Sequence, residues 1–175
     1  MAKKLNLGCG EFRKEGYVNV DYYSVSKPDV KHDLNKFPYP FSDNEFGLIE
    51  ADHVLEHLEN PFMVIKEMHR ISQDGGLIII KVPHFSRGFT HPEHKRGFDV
   101  SLPYYFNPSF KGGYQGFELK IKKMKLSWFA QKYLKKPSCQ SRHTMQDISW
   151  AQYLIFLHSC RLSCARGCGV FVWGI

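Results

Sequence analysis

A short apolar run that breaks into Gly-x-Gly, Leu5-Asn6-Leu7-Gly8-Cys9-Gly10, restricts this chain more than any other stretch. Glycine at the exit of a buried strand lets the backbone turn sharply and lets a ligand approach with no Cβ in the way. A second apolar run, Tyr17-Val18-Asn19-Val20, closes on Asp21, and an acidic side chain at a strand end can take both hydroxyls of a ribose. Together the two runs describe the nucleoside-binding edge of a parallel sheet.

The connection between them is short. Only Glu11 to Tyr17 separate Gly10 from Val18, whereas a parallel crossover normally takes a dozen or more residues with a helix. The first crossover helix is therefore expected to be abbreviated. Arg13 stands at the third-glycine position, and a pyrophosphate has no helix N-terminus to rest on, so a phosphate-bearing cofactor is disfavoured.

Further along, Val30 to Leu34 reads as a third strand ending near Asp33, and Phe46 to Ala51 as a fourth. The proline-rich stretch Phe37 to Asn44 bars a helix between them. Asp52 can cap a short helical segment, His53 to Leu58. Asn60-Pro61 opens a stronger helix whose inward residues are Phe62, Ile65, Met68 (or His69) and Ile71, with Gly75-Gly76 beyond its end. Leu77 to Val82 is nearly all apolar, as in a strand buried on both faces.

Phe85 to Phe117 has no sustained period and is rich in aromatics, which suggests a lid or substrate loop. Phe117 to Leu126 alternates as a strand, Thr144 can start a helix running to about His158, and Gly169 to Ile175 reads as a last strand. Cys160, Cys164 and Cys168 recur every fourth residue, but zinc sites favour CxxC pairs and four ligands, so no metal is assigned.

At 175 residues with a 43% hydrophobic content, one domain with a sizeable core is expected. Five cysteines without framework spacing fit a reducing cytoplasm, and the absence of a long apolar run speaks against a membrane span or a secretory leader. The net charge of +7 concentrates in Lys120 to Lys125 and Lys132 to Lys136, which reads as a solvated strand edge before it reads as a nucleic-acid surface.

With Gly8-x-Gly10, Asp21, Asp33-Leu34 and His53-Val54-Leu55-Glu56-His57-Leu58 in this order, the chain resembles class I S-adenosylmethionine-dependent methyltransferases. From Asp33 to Pro83 it is similar, element by element, to the methyltransferase type 11 group. That resemblance implies an α/β, Rossmann-like fold with a mostly parallel sheet, helices on both faces and a shortened first crossover. It implies S-adenosylmethionine as cofactor, with Leu7, Gly8, Cys9 and Gly10 along its methionine and ribose portions. Asp21 and Tyr22 would lie at the ribose, Asp33 and Leu34 at the adenine, and Asp52 and His53 beside the sulfonium. The ordinary first-helix wall would be missing or replaced by Arg13 and Lys14, and Gly47 stands where relatives carry aspartate. The end of the chain, 137–175, departs from the family pattern.

Histidine, with an ordinary pKa of ~6.5, suits the role of a base for an oxygen or nitrogen acceptor. The candidates are His84 at the exit of the fifth strand, His94 in a His-Lys-Arg run of the lid, with His91 near it, and His53. A small-molecule acceptor is expected. A nucleic-acid or protein methyltransferase, or a silent S-adenosylmethionine-binding protein, is the alternative, as a monomer or homodimer.

Overall fold

The computed structural model describes residues 2–85, 91–128 and 167–174; of Ser127, Trp128 and 167–174 only the backbone enters the account. Seven strands form one sheet: β1 (Lys3–Leu7), β2 (Val18–Asp21), β3 (Val30–Lys31), β4 (Phe46–Asp52), β5 (Ser72–Pro83), β6 (Lys120–Trp128) and β7 (Gly167–Gly174). Their order across the sheet is β3-β2-β1-β4-β5-β7-β6. The first five run parallel, and β7 lies antiparallel between β5 and β6. This is an α/β fold of the Rossmann-like kind.

Apolar alternation sets the register. Leu5 and Leu7 stand beside Val18 and Val20 on one side and beside Ile49 and Ala51 on the other. Ile49 and Ala51 in turn face Ile78 and Ile80. All of these but Val18 are buried, and each buried Leu or Ile side chain is worth ~1.5–3 kcal/mol.

The single α-helix among the described residues, α1 (Pro61–Ile71), covers this sheet with Val64, Ile65, Met68 and Ile71, all buried. Asn60 begins it by accepting a hydrogen bond from the Met63 amide at 3.2 Å, and Pro61 sits where a missing N–H costs nothing. The inward face matches the expected spacing, with Phe62 only partly buried at its rim. Arg70 ties the helix to the proline-rich segment, donating to Tyr39 O, Phe41 O and Asp43 while pairing with Glu67 at 2.7 Å. Burial alone would push the Glu67 carboxyl up; Arg70 and the Tyr39 amide hold it below its usual range.

Several local expectations change. The helix ends at Ile71 with Ser72 already extended, so Gly75-Gly76 does not cap it. The pair instead lies within β5, where the register jumps from Phe46↔Ser72 to Leu48↔Leu77 and Gly75 takes φ +73°. Such a bulge needs the left-handed backbone that glycine adopts without strain. β3 has only two residues, and Asp33-Leu34 falls in the turn after it. The segment after β4 is a 3-10 turn, Leu55–His57, preceded by Val54 with no side-chain cap; the Asp52 carboxylate is held by Lys81 at 2.5 Å.

The first crossover contains no helix. Two buried asparagines brace it: Asn6 Nδ2 donates to Phe12 O at 3.1 Å and to Asn19 Oδ1 at 3.0 Å, and Lys14 N–H donates to the same Oδ1 at 2.8 Å. Asn19 Nδ2 returns bonds to Lys14 O and Tyr17 O. Arg13 pairs with Asp29, and Lys14 pairs with Glu50. At the other strand, Gly47 leaves room for Ala2, whose Cβ would stand 2.5 Å from a side chain there.

Of the expected lid, the stretch around the 3-10 turn Leu102–Phe106 is core. Phe98, Leu102 and Phe106 are buried, and Phe62 meets Tyr105 and Phe106 edge-on or tilted. The expected helix from Thr144, the cysteines Cys160 and Cys164, and the basic run Lys132 to Lys136 lie outside the described residues. Cys168 falls in β7.

Candidate active site at the carboxyl ends of the parallel strands

A cavity of about 720 Å³ opens where β1, β2 and β4 end. Its floor is Gly8 and Gly10, one wall is Asp21 with Tyr22 and Tyr23, and the far end is Asp33 and Leu34. His53, Val54 and His57 close the side toward β4, and Glu93 and Lys95 reach it from the segment after β5.

The glycine turn has two left-handed residues, Gly8 at φ +62° and Gly10 at φ +47°. A Cβ on Gly8 would lie 2.5 Å from Val54 Cγ2, so glycine there lets β1 approach the turn after β4. Beyond Gly10 there is open space, on the side that lines the cavity. The Asp21 carboxylate fixes the turn from opposite ends: Oδ2 accepts the Gly10 amide at 2.8 Å and Oδ1 accepts the Tyr23 amide at 2.9 Å. A carboxylate oxygen can accept more than one hydrogen bond, so both retain capacity for hydroxyl donors. Asp33 Oδ1 accepts the Asn35 amide at 3.0 Å in an Asx-type turn, which aims its carboxylate end at the cavity.

Leu7 and Cys9 are buried beneath the turn and do not line the cavity. Burial, and then the negative charge of Asp21, push the Cys9 thiol up, so it stays a protonated packing group. Asp52 does not line the cavity either; its ion pair with Lys81 holds it to the strand edge. Arg13 and Lys14 are likewise absent from the lining, where Glu11 stands instead.

The three histidines proposed as bases part company. His53 lines the cavity at φ +56°, a sparsely populated backbone for a side-chain-bearing residue, with Nδ1 3.2 Å from Glu56 Oε1. With Nδ1–H assigned to that carboxylate, Nε2 carries the lone pair. His94 is mostly buried beside Glu56 and His57, behind the cavity lining. His84 is buried elsewhere, between Phe98 and Met124 in a void of about 10 Å³, room for one water. Burial pushes its imidazole below the ordinary range, against the opposing charge of Asp99.

Sequence reading missed His57, Tyr23 and Glu93, whereas Lys95 belongs to the His-Lys-Arg run of the expected lid. His57 stands in the quoted His-Val-Leu-Glu-His-Leu block, and a 3-10 turn there would have placed it near His53. Nothing local marks Tyr23 or Glu93.

The strand order, the glycine turn and the acidic strand ends define a class I, Rossmann-like methyltransferase fold. More narrowly, residues 5–80 match the type 11 family model described as "Methyltransferase domain". Among solved structures it is similar to a SAM-dependent methyltransferase from Archaeoglobus fulgidus, at 16% identity and TM-score 0.64, over 99% of this chain and 86% of that one. A second, from Mesorhizobium loti, aligns at 12% identity and TM-score 0.58 over 99% and 91%. The [4+2]-cyclase SpnF aligns at 11% identity and TM-score 0.62 over 99% and 74%. No curated protein matches the chain.

Proposed function

We propose that this protein transfers a methyl group from S-adenosylmethionine to a small-molecule acceptor. The observation that carries the reading is the cavity, with two carboxylates and an open glycine turn at the carboxyl ends of β1 and β2. Its size lies within the usual ~300–1,000 Å³ range of small-ligand sites. The donor set fits an adenosine: Asp21 for the ribose hydroxyls, Asp33 for the adenine amino group and Leu34 for the ring. Gly8 and Gly10 leave their backbone open to the methionine portion.

When bound, the sulfonium supplies an electrophilic methyl group for in-line displacement, and positioning can provide much of the acceleration. The chain's part is then to orient and to manage one proton. His53, held by Glu56, is placed to accept that proton at Nε2, while Asp21 keeps the turn in place through the Gly10 and Tyr23 amides. His84 does not line this cavity, and His94 would act through His57. An acceptor of modest size is favoured over a nucleic acid because the lysines of β6 sit on the sheet's outermost strand, at the end of the strand order away from β1 and β2. No helix among the described residues is long and apolar enough to cross a membrane.

The test is binding first and turnover second. S-adenosylhomocysteine should raise the melting temperature, and labelled S-adenosylmethionine should pass its methyl group to a member of a metabolite library. The absence of any shift at millimolar ligand in folded protein overturns the reading. The SpnF likeness is a reminder that this fold alone does not dictate methyl transfer.

A further inference from the structure

Behind the cavity wall, Glu56 is fully buried with Oε1 3.2 Å from His53 Nδ1 and 4.0 Å from His94 Nε2. Its second oxygen, Oε2, accepts no hydrogen bond. Leaving a buried carboxylate oxygen unpaired is costly, so the fold tolerates it only where something compensates. The cations of the neighbouring segment do not pair with it: Lys95 pairs with Glu59, and Arg96 donates to Glu59 O at 2.7 Å while its own buried Nε also finds no acceptor. What surrounds Glu56 is imidazole. His57 meets His94 with ring centroids 4.8 Å apart, and His91 stacks on His94 at 4.7 Å. One ligand atom each from Glu56, His57 and His94 can be chosen so that all lie within 4.8 Å of one another.

We infer that Glu56, His57 and His94 form a binding site for a divalent transition-metal ion of the zinc class. The donor chemistry is two imidazoles and one carboxylate, which suits such ions and not magnesium or calcium, whose ligands are oxygens. Three protein ligands leave one coordination position open, the pattern of catalytic rather than structural zinc. Tetrahedral ligands at zinc–nitrogen distances of ~2.0–2.1 Å stand about 3.4 Å apart, so side chains whose ligand atoms lie up to 4.8 Å apart need to draw together by up to about 1.4 Å. His94 belongs to the segment after β5 and Glu56 and His57 to the turn after β4; an ion would therefore clamp these two segments together. Lys95 N–H already donates to Glu56 O at 2.9 Å along the same seam. His57 also lines the cavity, which places the ion at its edge, where the open position is available to an acceptor oxygen. His53 would orient the Glu56 carboxylate from outside the coordination shell. Only the acceptor role rests on the methyltransferase reading; metal binding is measured without donor or acceptor and can fail independently of it.

The experiment uses the full chain, stripped with a chelator and titrated with Zn²⁺ and Co²⁺ by calorimetry and visible absorption, with Mg²⁺ as control. One ion per chain should bind at micromolar or tighter affinity, Co²⁺ should give d–d bands of a low-coordinate site, and Mg²⁺ should give no heat. Glu56→Gln, which keeps shape, should weaken Zn²⁺ at least tenfold. His57→Ala with His94→Ala should abolish binding while the far-ultraviolet circular dichroism is unchanged. Wild-type protein that binds neither ion overturns the inference. So does a thiolate-to-cobalt charge-transfer band, which would put the ion on the cysteines, or equal affinity in the Glu56→Gln variant.

Discussion

Asp21 shows how one side chain can carry both structure and binding. Its carboxylate joins the Gly10 and Tyr23 amides across the mouth of the cavity, so removing it loosens the turn as well as the proposed ribose contact. Asp21→Ala should weaken S-adenosylhomocysteine by at least tenfold in calorimetry, since hydrogen bonds to a charged group are worth ~1.5–3 kcal/mol each. Asp21→Asn retains an acceptor for one amide and should lose less. Equal affinities for wild type and the alanine variant would remove Asp21 from the site. Gly8→Ala is a purely steric counterpart: the methyl would press on Val54 at 2.5 Å in a left-handed backbone, a strain of ~1–3 kcal/mol, and thermal unfolding should report it. Both residues were legible in the sequence because the glycines must turn and the acid must end a strand. Asp52 misled, because a carboxylate at a strand end can pair along the sheet edge, and Lys81, one strand over and in register, was there to take it.

At the scale of elements, strand identity was readable from apolar runs and helix α1 from its cap and spacing. The boundaries that shifted are those where tertiary pairing overrides local signals. Gly75-Gly76 looks like a helix end, but β5 continues pairing with β4 from Ser72, and the glycines become the bulge that absorbs the extra residues. The helix-free crossover was expected from its length, yet not its brace of Asn6 and Asn19, since buried asparagine has no sequence period. Asn19→Ala should cost about 1–3 kcal/mol in denaturant unfolding, because the part-buried Lys14 amide loses its acceptor and the buried Asn6 amide keeps only its bond to Phe12 O. A second brace is Glu50, whose carboxyl burial would raise but Lys14 and Tyr17 hold low, while the Tyr17 hydroxyl is pushed up to about 12 by that hydrogen bond. Histidines contribute to the acid limit alongside the carboxylates that are held low. Burial lowers the folded-state pKa of His69, which touches Phe117, and of His84. The unfolded chain then binds more protons below about pH 6.5, so stability is full above that pH and falls on acidification. His69→Phe should lessen the drop between about pH 7 and pH 5 in denaturant midpoints; an unchanged drop would assign it to other groups.

For the whole molecule, the decisive property is that the parallel half of the sheet ends in an open cavity whose walls come from five separate stretches of chain. Gly8 and Gly10 follow β1, Asp21 to Tyr23 end β2, Asp33 and Leu34 follow β3, His53 to His57 follow β4, and Glu93 and Lys95 come from beyond β5. The sequence placed the first four together through the order of its motifs, but the last depends on how the segment after β5 folds back. A ligand that touches all five couples them, and by linkage it stabilises only the state in which they coexist. At about 100 times its dissociation constant, S-adenosylhomocysteine should add ~2.7 kcal/mol, which for a domain of this size is roughly 5–10 °C in melting temperature. Exposed Tyr22, Tyr23 and Val25 at the rim should become protected from proteolysis and hydrogen exchange at the same ligand concentrations. NAD should do neither, because the crossover from Gly10 to Val18 offers no helix N-terminus for a pyrophosphate. A melting shift with NAD as large as that with S-adenosylhomocysteine would mean that the cavity reads adenosine alone, and the assignment of the glycine turn to the methionine portion would then fall.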